Sequence, residues 1–329
     1  MTMKLYQPML HVGLGGTGCR IGAELERRMR EELCGPDGTE FQHLRPGADL
    51  LPYQLPSCVQ FVYADVNRSE LDGLPERVVP GRRHFAAAER TAHYVRDLVP
   101  EVPTYPEAAR SLRLSAGDTV RNWLPPSTRE PRVAPLDRGA GQFPTVGRAA
   151  LFETFRSGIG PAVAPLREAI NRIATSAGDL GVLGGSLPRS CDVFVSFSVA
   201  GGTGAGIFYD YLHLIARSFR GTGLRIKIYP LVLMPSAFDE GFGGGRSARL
   251  NAGRALLDIF RLVDDQNGRE ASLTLAHEPV PVHSDHEGAA VHYPVEGRVE
   301  IMPSTVQTAF LFSRPTGTDR EDLHRSVVA

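Results

Sequence analysis

The sequence has few cysteines, two lysines and no long apolar run, and these shortages exclude several classes of protein. Its four cysteines (Cys19, Cys34, Cys58 and Cys191) include no pair with metal-ligand spacing, which argues against a zinc module and is typical of a reduced, cytoplasmic protein. No apolar stretch approaches the ~20 residues of a membrane-spanning helix, and no hydrophobic signal segment is found. The net charge of −1 gives no electrostatic reason for binding nucleic acid or an anionic membrane.

Glycine is abundant instead, with 35 residues, and its densest group is Gly-Gly-Thr-Gly-Ala-Gly at 201–206. An apolar run at 191–197 precedes this group and apolar residues at helical spacing follow it, so the pattern predicts a strand, a glycine turn and a helix. Such a turn directs backbone N–H groups and the positive end of a helix dipole at one point, where a phosphate can bind. The alternative is a tight turn that needs glycine only for its own geometry.

A second glycine turn follows a short predicted strand near the N-terminus. From Gly13 to Gly18 it fits the G-x-G-x-x-G pattern of dinucleotide-binding proteins, so an NAD-dependent enzyme is one hypothesis. That pattern also requires an acidic residue about 20 residues later, at the end of the second strand. The next predicted strand, 59–64, and the Asp65 that follows it come too late in the chain. The hypothesis also leaves the other glycine turn unexplained.

A third glycine segment, 139–150, reads Gly-Ala-Gly-Gln-Phe-Pro-Thr-Val-Gly-Arg-Ala-Ala. In this order the three segments resemble the nucleotide loops of the tubulin/FtsZ superfamily, over about residues 8–325. Residues 15–22 are similar to the G-Q-C-G-N-Q-I-G loop of tubulins, the third segment to the G-A-G-x-N-P-x-V-G-R-x-A-A loop of FtsZ, and 201–206 to the G-G-T-G-S/T-G signature. Phe143 departs from the pattern, because FtsZ has Asn there. The chain is most similar to the large bacterial tubulin-like proteins.

The alternation of strand and helix patterns predicts an α/β fold with a parallel sheet covered by helices on both faces. The resemblance implies the same architecture, a Rossmann-like and mostly parallel sheet of the tubulin/FtsZ type. We expect strands at 9–13, 59–64, 191–197, 225–233 and 307–312, and helices at 18–34, 145–176, 205–219 and 246–263.

The resemblance implies one nucleotide-binding domain over residues 1–329, with insertions at about 68–138 and 266–304. Short helices are predicted in the first insertion, at 86–98 and 105–114. No match to the family's central helix, catalytic acidic loop and second domain is found, so we expect the N-terminal part of a longer protein. The second insertion is polar, and a solvated loop is favoured over a metal site for its histidines, which are His277, His283, His286 and His292.

The resemblance also implies that the three glycine segments surround the phosphates of a guanine nucleotide, GTP or GDP. The loop residues that would contact the nucleotide are Gly15, Gly16, Thr17, Gly18, Cys19, Ala140, Gly141, Gln142, Ala200, Gly201, Gly202, Thr203 and Gly204.

Three further site residues lie outside these loops. Asp65 matches the Asp of the D-L-E segment of tubulins and would reach Mg²⁺ directly or through water, although Asn67 replaces the Glu of that segment. Glu240 is similar to the Glu of the E-G pair in FtsZ, and Asn251 stands where tubulins have the Asn that reads the guanine. The alternatives are a strand-end turn residue for Asp65, and a helix N-cap or solvated helix residue for Asn251.

The resemblance therefore implies the GTP-binding domain of a bacterial tubulin-like cytoskeletal protein that lies in the cytoplasm. It also implies longitudinal self-association of the full-length protein. Hydrolysis of a phosphoanhydride needs positioning and charge neutralisation, and in this family the activating acid comes from the next subunit. No catalytic residue can be assigned here, so we expect weak hydrolysis or none. A non-hydrolysing, nucleotide-gated scaffold module is one alternative, which Asn67 and Phe143 favour, and an NAD-dependent Rossmann enzyme is the other.

Overall fold

A six-stranded sheet forms the centre of the chain, and all of its neighbouring strands pair in parallel. The computed structural model describes residues 4–98, 102–133, 135–238, 244–275, 290–314 and 318–328. The strands of this sheet, in the spatial order β3-β2-β1-β4-β5-β8, are β1 (Met9–Leu14), β2 (Val59–Ala64), β3 (Ala92–Val95), β4 (Ser190–Ser198), β5 (Arg225–Leu233) and β8 (Phe310–Phe312). A separate antiparallel hairpin consists of β6 (Ala290–Tyr293) and β7 (Gly297–Glu300).

Helices of very different length connect the strands. The α-helices are α1 (Gly15–Cys34), α2 (Glu40–Leu44), α3 (Arg68–Asp72), α4 (Pro75–Val78), α5 (Phe85–Glu89), α6 (Tyr105–Ser115), α7 (Gly117–Val120), α8 (Pro144–Thr154), α9 (Gly160–Ala174), α10 (Ala177–Val182), α11 (Thr203–Ser218), α12 (Arg246–Leu275) and α13 (Arg320–Val328). Short 3-10 turns lie at Arg82–His84, Arg96–Leu98, Ser127–Arg129, Leu136–Arg138, Phe155–Ser157 and Pro235–Phe238.

Both faces of the sheet are buried, as the alternation along β2 shows. Phe61 and Tyr63 pack into one apolar cluster with α1, whereas Val62 and Ala64 pack into a second cluster with α8, α9, α11 and α12. A strand that is covered on both faces has no polar face, which explains why β1 and β2 read as apolar runs. The structure confirms the predicted α/β fold with a parallel sheet and helices on both sides.

The predicted strands agree well with the structure except at the edges of the sheet. The strands predicted at 9–13, 59–64, 191–197 and 225–233 match β1, β2, β4 and β5 to within a residue or so at each end. The last strand is shorter than predicted, because only Phe310–Phe312 pair with β5. The helix predicted at 86–98 is wrong over most of its length, since α5 ends at Glu89 and β3 follows it.

Two long helices also differ from their predicted bounds. The helix predicted at 145–176 is divided into α8 and α9, because Gly158 has a φ of 114°, outside the helical region, and Gly160 and Pro161 begin a new helix. The helix predicted at 246–263 continues to Leu275. The polar segment predicted at 266–304 therefore contains the end of α12 and the β6–β7 hairpin.

Part of the predicted histidine segment, 276–289, lies outside the described residues together with His277, His283 and His286. His292 is an exposed residue of β6. Within the described part of the chain, no group of three or more His, Cys, Asp or Glu side chains could hold a metal ion. Among the helices that the structure describes, none combines the length and the apolar character that crossing a membrane requires.

Candidate functional site

Three glycine-rich loops meet at the carboxyl edge of the sheet and enclose a cavity of about 230 Å³. The loops are 14–17 after β1, 139–141 before α8, and 198–204 after β4; together we call them the glycine cradle. The carboxyl edge is where open α/β sheets place their ligand sites. The cavity is lined by Leu14, Gly15, Gly16, Thr17, Arg20, Asp65, Asn67, Glu70, Gly139, Ala140, Gly141, Ser198, Gly201, Gly202, Thr203 and Gly204.

Within the described chain, the helix starts around the glycine cradle lack the side-chain caps and first-turn acidic residues that often accompany a helix N-terminus. α1 begins at Gly15 and α11 at Thr203, both in the cavity wall, and α8 begins at Pro144, three residues after the 139–141 loop. In the described residues, none of these three helices has a side-chain cap at its N-terminus or an acidic residue in its first turn. Unpaired N–H groups and the positive end of the dipole make such helix starts favourable for an anion.

Three glycines of the cradle, Gly15, Gly202 and Gly204, are required by contact between the loops. A methyl group on Gly202 would lie 2.6 Å from the Gly141 oxygen and 2.7 Å from the Ala140 oxygen, and one on Gly15 would lie 2.7 Å from the Gly204 nitrogen. These distances are shorter than a carbon atom allows, so only glycine lets the loops approach.

Gly201 is different, because a methyl group there would meet no atom within 4 Å. Gly16 is also accessible, since the nearest atom to such a methyl group is Asp65 Oδ2 at 3.5 Å. Gly201 and Gly16 therefore leave open space for a ligand in the cavity, whereas Gly202 and Gly15 bring the loops together.

Asp65 follows β2 and is 4% exposed at the floor of the cavity. Burial raises the pKa of its carboxyl group to about 6, against the opposing effect of hydrogen bonds from the Asn67 N–H, the Thr203 hydroxyl and the Val66 N–H. In nucleotide sites Mg²⁺ is commonly held by one or two carboxylates together with phosphate oxygens and water. A single buried carboxylate at the cavity wall fits that arrangement, with Asp65 as the protein ligand.

Asn67 lies at the cavity wall, but its side chain is used within the chain. Its Oδ1 accepts hydrogen bonds from the Glu70 N–H at 3.3 Å and from the Ser69 hydroxyl at 2.8 Å, which caps the N-terminus of α3. Glu70 also forms an ion pair with Arg20, and neither residue is among those predicted from the sequence. Arg20 of α1 donates through Nη2 to both carboxylate oxygens of Glu70, at 2.8 and 3.0 Å, and both residues line the cavity.

Gly18 and Cys19, predicted to contact the nucleotide, lie beneath the loop and do not line the cavity. Cys19 is 1% exposed, and its thiol donates to the Gly13 carbonyl at 3.4 Å. Burial, together with the nearby charge of Asp65, raises the pKa of this thiol well above its ordinary value. The position of Cys19 supports the loop from the core side of the sheet.

Asn251 connects α12 to two of the cradle loops. Its Nδ2 donates to the Gln142 carbonyl at 2.9 Å and to the Ala200 carbonyl at 3.2 Å. Gln142 and Ala200 themselves do not line the cavity. The two hydrogen bonds of the Asn251 amide hold their backbone segments next to each other. Glu240, the remaining predicted site residue, lies outside the described residues.

A larger cavity of about 710 Å³ lies on the other side of α8 and α11. Its main charged groups neutralise one another, since Arg148 pairs with the buried Asp210 and Arg254 pairs with Asp258. The smaller cavity is the better candidate site, because two helices, α1 and α11, begin in its wall without a side-chain cap or an acidic first turn in the described chain.

The fold and the cradle together define a class of protein, the α/β proteins with glycine loops at the carboxyl edge of a parallel sheet. The family model described as "Tubulin like" matches residues 10–329, so this chain belongs to the tubulin-like family. This match confirms the resemblance of the three loops to the tubulin/FtsZ superfamily.

No curated protein matches the chain. Among solved structures, CetZ2 from Haloferax volcanii, a GTPγS-bound protofilament, is similar at 13% sequence identity and a TM-score of 0.44. The likeness covers 98% of this chain and 55% of that chain. The present chain thus spans about half the length of CetZ2.

Proposed function

We propose that the glycine cradle binds the phosphates of a guanine nucleotide, GTP or GDP. The proposal rests on one observation. The N-termini of α1 and α11, which have no side-chain cap among the described residues, lie at the same cavity, and the glycine main chain lines that cavity. Backbone N–H groups and helix dipoles favour an anion without requiring a particular side chain. A cavity of about 230 Å³ suits the phosphates, and the nucleoside would extend towards α12.

Asn251 is the residue proposed to read the base. Both of its contacts use Nδ2, so its Oδ1 can accept a hydrogen bond. Guanine presents adjacent donors at N1 and N2 on its Watson–Crick edge, whereas adenine presents the N1 acceptor beside its N6 amino group. An accepting Oδ1 would therefore favour GTP over ATP, and Glu240 is proposed as a further nucleotide contact.

Asp65 is proposed as the protein ligand of Mg²⁺ bound with the nucleotide. The magnesium ion would neutralise charge on the phosphate oxygens. The hydroxyl of Thr203 and two backbone N–H groups orient the Asp65 carboxylate at the cavity wall before any ligand arrives.

Slow hydrolysis, or none, follows from the partners of the cavity's carboxylates. Asp65 already accepts hydrogen bonds from Thr203 and the main chain, and Glu70 is paired with Arg20. In the empty site both carboxylates of the described cavity wall already have partners, so neither is held ready as the base for an attacking water. This observation favours a second candidate function, a nucleotide-gated scaffold module without turnover.

The wider role that we propose is that of a bacterial cytoskeletal protein in the cytoplasm, in which residues 1–329 act as one nucleotide-binding domain and copies associate longitudinally. In that arrangement the activating acid would come from a neighbouring subunit, so turnover would rise with protein concentration.

Isothermal titration calorimetry with GTP, GDP, ATP and NAD tests the binding proposal. We expect GTP and GDP to bind in the presence of Mg²⁺, with ATP at least tenfold weaker, or about 1.4 kcal/mol. Tighter binding of NAD than of GTP would refute the assignment. Phosphate release measured over a hundredfold range of protein concentration then separates the two candidate functions, because a filament-forming GTPase accelerates with concentration and a scaffold module stays at background.

A further inference from the structure

The ion pair between Arg20 and Glu70 lies in the wall of the cavity in which the phosphates are proposed to bind. Arg20 lies in the second turn of α1 and Glu70 lies in α3, and both side chains are about one-third exposed. Both belong to the cavity wall, together with Asp65. Arg20 is thus the cationic side chain among the residues that line this cavity in the described chain.

The guanidinium of Arg20 is only partly used by Glu70. Both of its hydrogen bonds to that carboxylate leave from Nη2. Its Nε is buried and has no hydrogen-bond partner among the described residues. A buried donor without a partner is costly, and guanidinium N–H groups match the oxygens of a phosphate well.

The lining side chains alone disfavour a polyanion. Glu70 and Asp65 contribute two carboxylates against the single guanidinium of Arg20. A phosphate that enters the cavity meets the negative charge of Glu70 at short range, and the cation that could attract the phosphate is held by the same Glu70. Glu70 and the phosphate therefore compete for one partner.

We propose that Arg20 is the phosphate-binding cation of the cavity and that Glu70 holds it in the empty site, so that the incoming phosphate takes Arg20 from Glu70. This inference rests on the proposed function for its ligand and adds a residue pair that sets affinity. The pair acts as a latch: removing one member weakens anion binding and removing the other strengthens it. Arg20 contacts the phosphate, and Glu70 is a positioning residue that acts through Arg20.

The test measures the affinity of the folded chain for inorganic pyrophosphate and for GTP, each with Mg²⁺, by calorimetry. Arg20→Gln should weaken both by about tenfold or more, the usual size of a lost charge-assisted hydrogen bond. Glu70→Gln should strengthen both by about two- to fivefold, since partly exposed ion pairs of this kind are weak. In the double variant Arg20→Gln/Glu70→Gln, the increase in affinity caused by Glu70→Gln should be smaller than in the wild-type background, because Glu70 affects binding mainly by holding Arg20.

Glu76→Gln is the matched control, because Glu76 forms an exposed ion pair with Arg82 at 3.0 Å outside the cavity. That substitution should leave both affinities unchanged. A merely structural role for the pair predicts that Arg20→Gln and Glu70→Gln both weaken binding, and this result would overturn the inference. Melting temperatures of the variants show whether a loss of binding reflects unfolding.

Pyrophosphate separates the failure of this inference from that of the proposed function. If pyrophosphate binds with the two opposite mutational effects while GTP is not preferred over ATP, the latch stands and the guanine assignment fails. If GTP binds preferentially but Glu70→Gln does not tighten either ligand, the nucleotide assignment stands and the latch is refuted. If the wild-type chain binds neither, both are refuted.

Discussion

Two adjacent glycines of the cradle, Gly201 and Gly202, should respond oppositely to a larger side chain. Gly201 faces open space in the cavity, whereas a methyl group on Gly202 would press on the Gly141 and Ala140 oxygens at 2.6 and 2.7 Å. We expect Gly201→Val to keep the stability of the fold and lose ligand affinity. We expect Gly202→Ala to lose stability itself.

The magnitudes follow from the two environments. Overpacking of the kind that Gly202→Ala produces costs about 1–3 kcal/mol, which lowers Tm by a few degrees in a domain of this size. The Cβ of a residue at position 201 meets no described atom within 4 Å, so we expect Gly201→Val to change the free energy of unfolding by no more than about 0.5 kcal/mol. The valine side chain nevertheless occupies space proposed for a phosphate, and nucleotide affinity should fall at least tenfold, about 1.4 kcal/mol.

Urea unfolding and calorimetric titration with GTP on the same preparations measure both effects. Gly181→Val is the control, because Gly181 is an exposed residue of α10 with no atom within 4 Å of a built methyl group. It should change neither stability nor affinity appreciably. Unaltered GTP affinity in Gly201→Val would mean that no phosphate approaches this backbone, and a Gly202→Ala protein of wild-type stability would refute the packing argument.

Three other changes give separate outcomes. Asn251→Ala should lower unfolding free energy by about 1–3 kcal/mol in urea, because the Gln142 and Ala200 carbonyls lose their donor, and should narrow the GTP-over-ATP preference in calorimetry. Asp65→Asn should make GTP affinity insensitive to EDTA, whereas the wild type should weaken when EDTA removes magnesium. Burial lowers the pKa of His11 from 6.5 to about 3, so as the pH falls the unfolded chain binds a proton on His11 before the folded chain does. The free energy of unfolding should therefore fall by up to about 1.4 kcal/mol per pH unit from pH 6.5 towards pH 3. In His11→Gln the urea midpoint should depend less on pH over this range.

The sequence was sufficient to predict the centre of the fold because local patterns encode it. β1, β2 and β4 are apolar runs that end in glycine or acidic turns, and both signals lie within a few neighbouring residues. β3 has no such signal: it is four residues long, and its pairing with β2 involves residues about 30 positions away in the chain. The break after α8 was missed because apolar spacing continues through Gly158.

The same distinction applies to the candidate site. The loops that form the cavity were predicted from motifs. The predicted residues that line it are Gly15, Gly16, Thr17, Asp65, Ala140, Gly141, Gly201, Gly202, Thr203 and Gly204. Arg20 and Glu70 were missed because they are 50 positions apart and belong to no shared motif. The contacts of Asn251 with Gln142 and Ala200 likewise depend on tertiary packing that no local pattern contains.

A glycine motif therefore supports two inferences that only the structure can separate. In this chain Gly15, Gly18 and Gly202 allow one stretch of backbone to approach another, and that requirement would exist without any ligand. What indicates an anion is a different feature, the start of α1 and α11 at the cavity without a side-chain cap or an acidic first turn in the described chain. Helix starts usually carry such groups, because they satisfy the exposed N–H donors and the dipole. Where the chain omits them beside an open Gly201, a bound phosphate would satisfy the same donors.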